Sequence, residues 1–430
     1  LSANLLAFSG DKERVLRLGR MLSGFFSLEL LIQGIGMLTA LLIVRNMPKE
    51  QYAIYSLANG MQEALLMATS VGVGTALLAL GGERLGDRGG LGAVVAAGMK
   101  QRMLLLIFAA PVIIPLFGYL LFRNGAGPWE IGIIAILALV MLYQGFWTQL
   151  AGFSFGLRGE YNVTQKAQVG AGLLRLLLVG ALLLGGFLFS LPAFAVAVIA
   201  GFPLLAFYLY PQAKHRVDFA ATADVDTQLR MRRIAWRLLP NTLSALLQGQ
   251  LAMWILAGIG NTEGVADLGA LTRLGLLLAL PSAFVTKVLR PRLARETSIE
   301  KLRQLCKRVA VIAFLFTAAY FTTTCLLSDY LAYLLGDQYK NVAQHIPLYA
   351  GYTAQIFFGS CIFAVIDAKG WVKNSWIVPL VVNLGQVAAL LLIPVTSIEG
   401  AILLRWFGDG AGFLVMLYIL FNGFRGTQSV

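Results

Sequence analysis

The sequence predicts an all-α polytopic membrane protein. Twelve transmembrane helices are expected in two six-helix bundles, related by a pseudo-two-fold axis along the membrane normal and enclosing a central cavity. Three observations predict this. The 430 residues are 58% hydrophobic and 13% charged, with a mean hydropathy of +0.76, whereas a soluble domain is about 25% charged. Apolar runs near the ~20 residues that cross a ~30 Å hydrocarbon core recur along the whole chain. The basic residues fall in alternate connecting segments, as they do when one side of a membrane retains them.

Residues 1–20 form a basic, amphipathic lead-in with Lys12, Arg14, Arg17 and Arg20. Span 1 covers about 21–44 and ends in the turn Arg45-Asn46-Met47-Pro48. Span 2 covers about 51–80 and closes in the polar loop GGERLGDRGG, which residues 91–102 continue as a surface segment carrying Lys100 and Arg102. Span 3, about 103–122, holds Pro111 and Pro115 as expected kinks. Spans 4, 5 and 6 follow at about 129–157, 164–187 and 192–211. Residues 212–237 are the longest polar stretch and read as a cytoplasmic linker between an N-terminal bundle, 1–211, and a C-terminal bundle, 238–430. Span 7 covers about 238–260, and span 8 about 268–288, ending in the basic run Lys287, Arg290, Arg292, Arg295. Spans 9 to 12 fall at about 309–328, 343–366, 371–394 and 398–422.

With the N-terminus inside and strict alternation, 27 of the 34 Lys and Arg lie in inside segments. Only Arg45, Lys49, Arg123 and Lys340 lie outside, and Arg175, Arg273 and Arg405 lie within spans. This bias supports both the even number of spans and cytoplasmic termini. The first long apolar run is a full span rather than a short signal-peptide core.

The formal charge of +13 is therefore a topology signal, and no nucleic-acid partner is expected. Cys306, Cys325 and Cys361 have no CxxC spacing, and His215 and His345 are too few for a histidine metal site. No Walker A, GxSxG, HExxH or acidic Mg²⁺ motif is present. An ATP-driven pump is excluded within this chain; no enzymatic activity, cofactor or metal is expected.

A shift of 215 residues lays the chain from span 1 over the chain from span 7. Gln33 then meets Gln248, Gly34 meets Gly249, Asn46 meets Asn261 and Gly60 meets Gly275. A repeat of six helices implies parallel bundles around a cavity that opens to either side.

Six charges sit inside spans: Glu29, Glu63, Arg175, Arg273, Arg405 and Asp409. A charge at that depth faces protein or water. Arg405 and Asp409 are four apart, so mutual neutralisation and a place in the substrate site both stand as readings. Arg175 and Arg273 have no carboxylate one turn away and suit an anion. Glu29 and Glu63 suit either ion coupling or pairing with those arginines. Gln33 and Gln248 suit sugar hydroxyls, because amides donate and accept; interhelical hydrogen bonding is the alternative for each.

Several segments resemble a known family. The opening RNMPKEQYAIYSL and NGMQEALLMATSVGVGTALL, GALTRLGLLLALP in span 8 and LLGDQYKNVAQHIPLY before span 10 resemble polysaccharide flippases. These belong to the multidrug/oligosaccharidyl-lipid/polysaccharide (MOP) exporter superfamily. The resemblance covers the chain by spacing rather than by signature residues. It implies a flippase for undecaprenyl-pyrophosphate-linked oligosaccharide repeat units of O-antigen or exopolysaccharide, working by alternating access in the bacterial inner membrane. Arg273, Arg175 and Arg405, with Gln33 and Gln248, become the substrate-site residues; Glu63, Glu29 and Asp409 become sites of coupling to H⁺ or Na⁺. Membrane lipid and a polysaccharide polymerase are the further partners implied. Two departures are clear: lipid II flippases of the superfamily usually carry fourteen helices, and their positive charges in the first two spans are replaced here by Glu29 and Glu63. The alternatives are a multidrug/toxin extrusion cation antiporter of the same superfamily, which needs unpaired carboxylates and aromatics, and a membrane polymerase or glycosyltransferase, which needs longer outside loops.

Overall fold

The computed structural model describes residues 12–296, 298–371 and 377–426. Residues 1–11 and 372–376, the latter at the start of the eleventh expected span, lie outside that description. The fold is that of an all-helical polytopic membrane protein. Among the described residues nine helices are long and apolar enough to cross a membrane, or ten when a pair bent by 43° is taken as one span.

The N-terminal half contains α1 (Lys12–Asn46), α2 (Lys49–Thr69), α3 (Val73–Glu83), α4 (Arg88–Arg123), α5 (Pro128–Leu157), α6 (Tyr161–Leu184) and α7 (Ser190–Pro203). A π-helical turn, Leu204–Leu209, joins α7 to α8 (Tyr210–Lys214). Then come α9 (Val225–Gly258) and α10 (Thr262–Leu274), which runs through a 3₁₀ turn into α11 (Ala279–Phe284) and α12 (Arg290–Arg295). The remainder is α13 (Ile299–Leu326), α14 (Ser328–Leu335), a 3₁₀ segment Asp337–His345, α15 (Ile346–Ala368), α16 (Ile377–Leu392) and α17 (Ile398–Gly426).

The bent pair is α2 and α3, and Gly72 makes the bend. Its φ is +62°, and a Cβ there would stand 2.8 Å from the Ala235 Cα of α9, so the position needs both the left-handed backbone and the missing side chain. Two expected spans fall short of a full apolar crossing. Helix α9 is 34 residues long, but Asn241, Gln248 and Gln250 make its membrane half polar. Helix α16 has 16 described residues.

One sequence expectation is corrected here. Residues 91–102 are not a surface segment but early turns of the 36-residue α4. Asp87 starts that helix by accepting from the Gly89 amide, and the helix continues through Pro111 and Pro115. Gly92 lets the α8–α9 connection lie directly on α4: a Cβ there would sit 2.0 Å from the Asp218 carbonyl oxygen. Arg102 is 2% exposed. It donates from Nη2 to Gln149 Oε1 at 2.5 Å, and its guanidinium lies 5.0 Å from the centroid of the Phe146 ring. Within the polar stretch 212–237, residues 225–237 are the first turns of α9. Asp224 caps them, and Arg230 forms a two-pronged pair with Glu83 of α3.

The core is built around α2. Tyr52, Ala53, Leu57, Ala58, Ala64 and Leu65 have no exposed surface. Within the first half α2 packs on α4, α5 and α7, and α1 packs on α6; in the second, α13 packs on α15, α15 on α17 and α17 on α16, with α9 against α16 and α17. Helix α2 also meets α9 and α10, and α4 meets α9, so α2 is the central strut between halves. Its approach to α10 depends on Gly269, where a Cβ would lie 2.5 Å from Ser56 Oγ. Small residues of this kind let membrane helices touch.

Candidate functional site

A recess of about 240 Å³ opens among α1, α2, α6 and the end of α10. Gln33, Tyr55, Gln168, Arg175 and Arg273 line it. Three of the residues expected at the substrate site (Arg175, Arg273 and Gln33) are therefore brought together from three helices. The two arginines are held by two tyrosines one turn apart on α2. Arg175 donates from Nη2 to the Tyr55 hydroxyl at 2.9 Å, and Arg273 donates from Nε to the Tyr52 hydroxyl at 3.1 Å. Tyr52 in turn donates to the Gly269 carbonyl at 3.3 Å. Neither arginine forms an ion pair among the described residues, and Arg175 Nε has no hydrogen-bond partner. The tyrosines thus orient two cations without neutralising them. A guanidinium presents a planar fork of donors suited to phosphate or carboxylate oxygens, so the recess suits an anion.

The other predicted residues separate. Gln248 and Asp409 line a second recess, about 280 Å³, with Gln355, Phe363 and Phe413 of the C-terminal half. Arg405 joins neither recess. Its Nη2 donates to the Gly249 carbonyl at 2.8 Å, and it forms no ion pair with Asp409 among the described residues. The four-residue spacing placed the pair on one face, but the guanidinium reaches across to α9 instead. Glu29 is buried and accepts from Gln33 and Gln165 amides at 3.5 and 3.2 Å, so amides rather than the two arginines face it. Glu63 is exposed and accepts from Gln250 of α9 at 3.5 Å.

Just beyond the arginine recess, polar contacts between the halves gather at one end of the molecule. Lys49 at the start of α2 lies 2.7 Å from Glu263 and 2.8 Å from Asp267 of α10. Asn124 donates to the Ala257 carbonyl at 2.9 Å and accepts from Thr262 at 3.0 Å. Gln338 donates to the carbonyls of Val44 and Met47 at 3.1 and 2.9 Å. Arg45 lies 4.8 Å from the Tyr333 ring centroid. These contacts seal that end. At the opposite end, ion pairs join α3 to the Asp224 cap and first turns of α9.

Sequence reasoning missed Tyr52, Tyr55 and the Lys49 seal. A signal for the tyrosines was present: QYAIYS puts two hydroxyls at i, i+3 on one face of an apolar helix.

No protein-family model matches the chain, and no curated protein sequence does. Solved structures do match across nearly the whole length. An inward-facing multidrug resistance MATE family transporter of the MOP superfamily aligns with a TM-score of 0.67 at 17% identity, covering 92% of this chain and 94% of that one. The lipid II flippase MurJ, in an inward closed conformation, aligns with a TM-score of 0.71 at 14% identity, covering 92% and 87%. An outward-facing MATE transporter aligns with a TM-score of 0.63 at 19% identity, covering 94% of each chain. The chain has the fold these MOP-superfamily transporters share.

Proposed function

We propose that the protein is a flippase. It moves undecaprenyl-pyrophosphate-linked oligosaccharide repeat units from the cytoplasmic to the periplasmic leaflet of the bacterial inner membrane. The observation that carries this reading is the pair Arg175 and Arg273: two guanidinium groups that form no ion pair among the described residues, oriented by tyrosine hydroxyls, in a recess that also holds Gln33 and Gln168. The diphosphate engages the arginines, the amides meet sugar hydroxyls, and the polyprenyl tail stays in lipid.

The reading includes twelve spans, with α9 and α16 crossing despite their polarity and short described length, in two six-helix halves joined by residues 212–237. Both termini are cytoplasmic, so the end held by Lys49 faces the periplasm. Helices α6 and α10 supply one arginine each and belong to different halves. Movement of the halves therefore changes the spacing of the two cations, a natural basis for alternating access. Asp409, in its recess with Gln248 and Gln355, is assigned to coupling with H⁺ or Na⁺. Arg405 is not assigned to the substrate site.

The test is repeat-unit export in cells. Arg273→Ala abolishes surface glycan at normal protein level, and Arg273→Lys restores it only partly, because lysine keeps the charge and loses the fork. Surface glycan unimpaired in the alanine variant overturns the role of Arg273.

One observation favours a second reading, the multidrug cation antiporter: Asp409 sits with Phe363 and Phe413 and has no ion pair with Arg405. Resistance to cationic drugs on expression, lost in Asp409→Asn, supports that reading; the flippase reading predicts no such resistance.

A further inference from the structure

A third opening lies outside both recesses and has a different character. It is a groove of about 470 Å³ between α4, α5 and the α8–α9 connection, almost entirely apolar, with Lys100 on its rim. One face of α4 supplies its length: Ala96, Met99, Met103 and Ile107 follow each other at helical spacing. Trp147 and Phe219 close it. Phe219 stacks on Tyr210 at 5.1 Å between centroids and meets Trp147 at 5.7 Å. Ile107, at the apolar end, is 67% exposed.

Depth along α4 places this groove. Lys100 lies 23 residues before Arg123, the last residue of α4, or roughly 35 Å by helix rise. That is slightly more than a ~30 Å hydrocarbon core. With Arg123 at one interface, Lys100 stands at the other, while Met103 and Ile107 reach into the acyl region. A tryptophan and a lysine at that level are the usual furniture of a headgroup boundary. Lys100 forms no ion pair among the described residues, and the groove beside it provides no acceptor of its own.

We propose that this groove is a binding site for one anionic phospholipid. Its phosphate pairs with Lys100, and an acyl chain lies along Met99, Met103 and Ile107 against Trp147 and Phe219. Charge complementarity selects the headgroup, since basic pockets at the cytoplasmic face favour anionic lipids. Because Phe219 belongs to the segment joining the two halves, a bound lipid also braces that segment against α4. The site is separate from the arginine recess and stands whether or not the flippase reading holds.

The test is lipid retention by the purified full chain, measured by native mass spectrometry from mixed micelles of phosphatidylglycerol and phosphatidylethanolamine. The wild-type chain retains phosphatidylglycerol over phosphatidylethanolamine by about fivefold, the size expected for one lysine at the headgroup level. Lys100→Gln abolishes the preference, Lys100→Arg keeps it, and Ala96→Phe, which fills the groove, removes both lipids. Equal retention of the two lipids by the wild type overturns the proposal. So does a preference that survives Lys100→Gln, or retention that survives Ala96→Phe. Added undecaprenyl phosphate leaves the phospholipid in place; its displacement at equal concentration assigns the groove to the polyprenyl substrate and overturns the phospholipid assignment.

Discussion

Replacing Lys49 with alanine is predicted to open the sealed end. Lys49 contacts two carboxylates of the opposite half, Glu263 at 2.7 Å and Asp267 at 2.8 Å. The Lys49 and Asp267 side chains are 16% and 12% exposed, but that of Glu263 is 69% exposed. The Glu263 arm is therefore screened by water and contributes less than about 1 kcal/mol. The Asp267 arm is different: truncating the lysine leaves a nearly buried carboxylate uncompensated, which costs several kcal/mol in a fully dry site. With some water access the combined effect is about 2 kcal/mol, or roughly 30-fold in the equilibrium between sealed and opened forms. The contacts of Asn124 and Gln338 remain, so the seal weakens rather than vanishes. Spin labels at Trp129→Cys and Asn341→Cys, in a background with Cys306, Cys325 and Cys361 changed to serine, report the separation by double electron–electron resonance. The wild-type background gives one short distance, and Lys49→Ala adds a longer population. The exchange Lys49→Glu with Glu263→Lys keeps one cation between two carboxylates and restores most of the short distance. A distance distribution unchanged by Lys49→Ala refutes the electrostatic seal.

Other outcomes follow from buried groups and caps. Arg102→Met is nearly neutral in thermal stability in detergent, because Nε and Nη1 have no partner and an apolar side chain of similar length avoids their desolvation; Arg102→Ala lowers stability by about 2–4 kcal/mol through the cavity it leaves. Gly92→Ala pushes a methyl into the Asp218 carbonyl and costs about 1–3 kcal/mol, read as a lower melting temperature and faster proteolysis of residues 215–224. Hydrogen bonds from Thr227 hold the Asp224 carboxyl down to about 2, helped by Arg84. Since its folded value lies below the ordinary 3.8, its stabilisation is complete above that value and fades as pH falls through about 2. Asp224→Asn keeps the cap and removes this acid dependence from hydrogen exchange at the start of α9.

The apolar runs located most of the spans, because a ~20-residue stretch without charges has few places to be other than a bilayer. The rare intramembrane charges pointed to the recess for the same reason: Arg175 and Arg273 must face protein or water, and they share one cavity. Arg405 shows where the argument by position stops. Sharing a helix face with Asp409 left its rotamer open, and the Gly249 carbonyl took it. Arg102 was misread because Gly- and Ala-rich sequence before it resembles a loop in composition, while its small residues serve close packing of α4 against the segment around Asp218. Lys49 was read only as an outside charge. Its role depends on α10 lying against α2, a contact made possible by Gly269 and Ser56 and invisible to periodicity.

The most direct measurement of the central claim is flipping in proteoliposomes. Purified protein is reconstituted with an undecaprenyl-pyrophosphate oligosaccharide, and appearance of the glycan in the opposite leaflet is followed with a membrane-impermeant lectin or glycosidase. The wild-type chain accelerates flipping. Arg175→Gln and Arg273→Gln each slow it at least about tenfold, the scale of one lost charge-assisted hydrogen bond, and the double variant falls to the rate of protein-free vesicles. Flipping at the wild-type rate by the double variant contradicts the account, as does a wild-type chain that leaves the rate of empty vesicles unchanged.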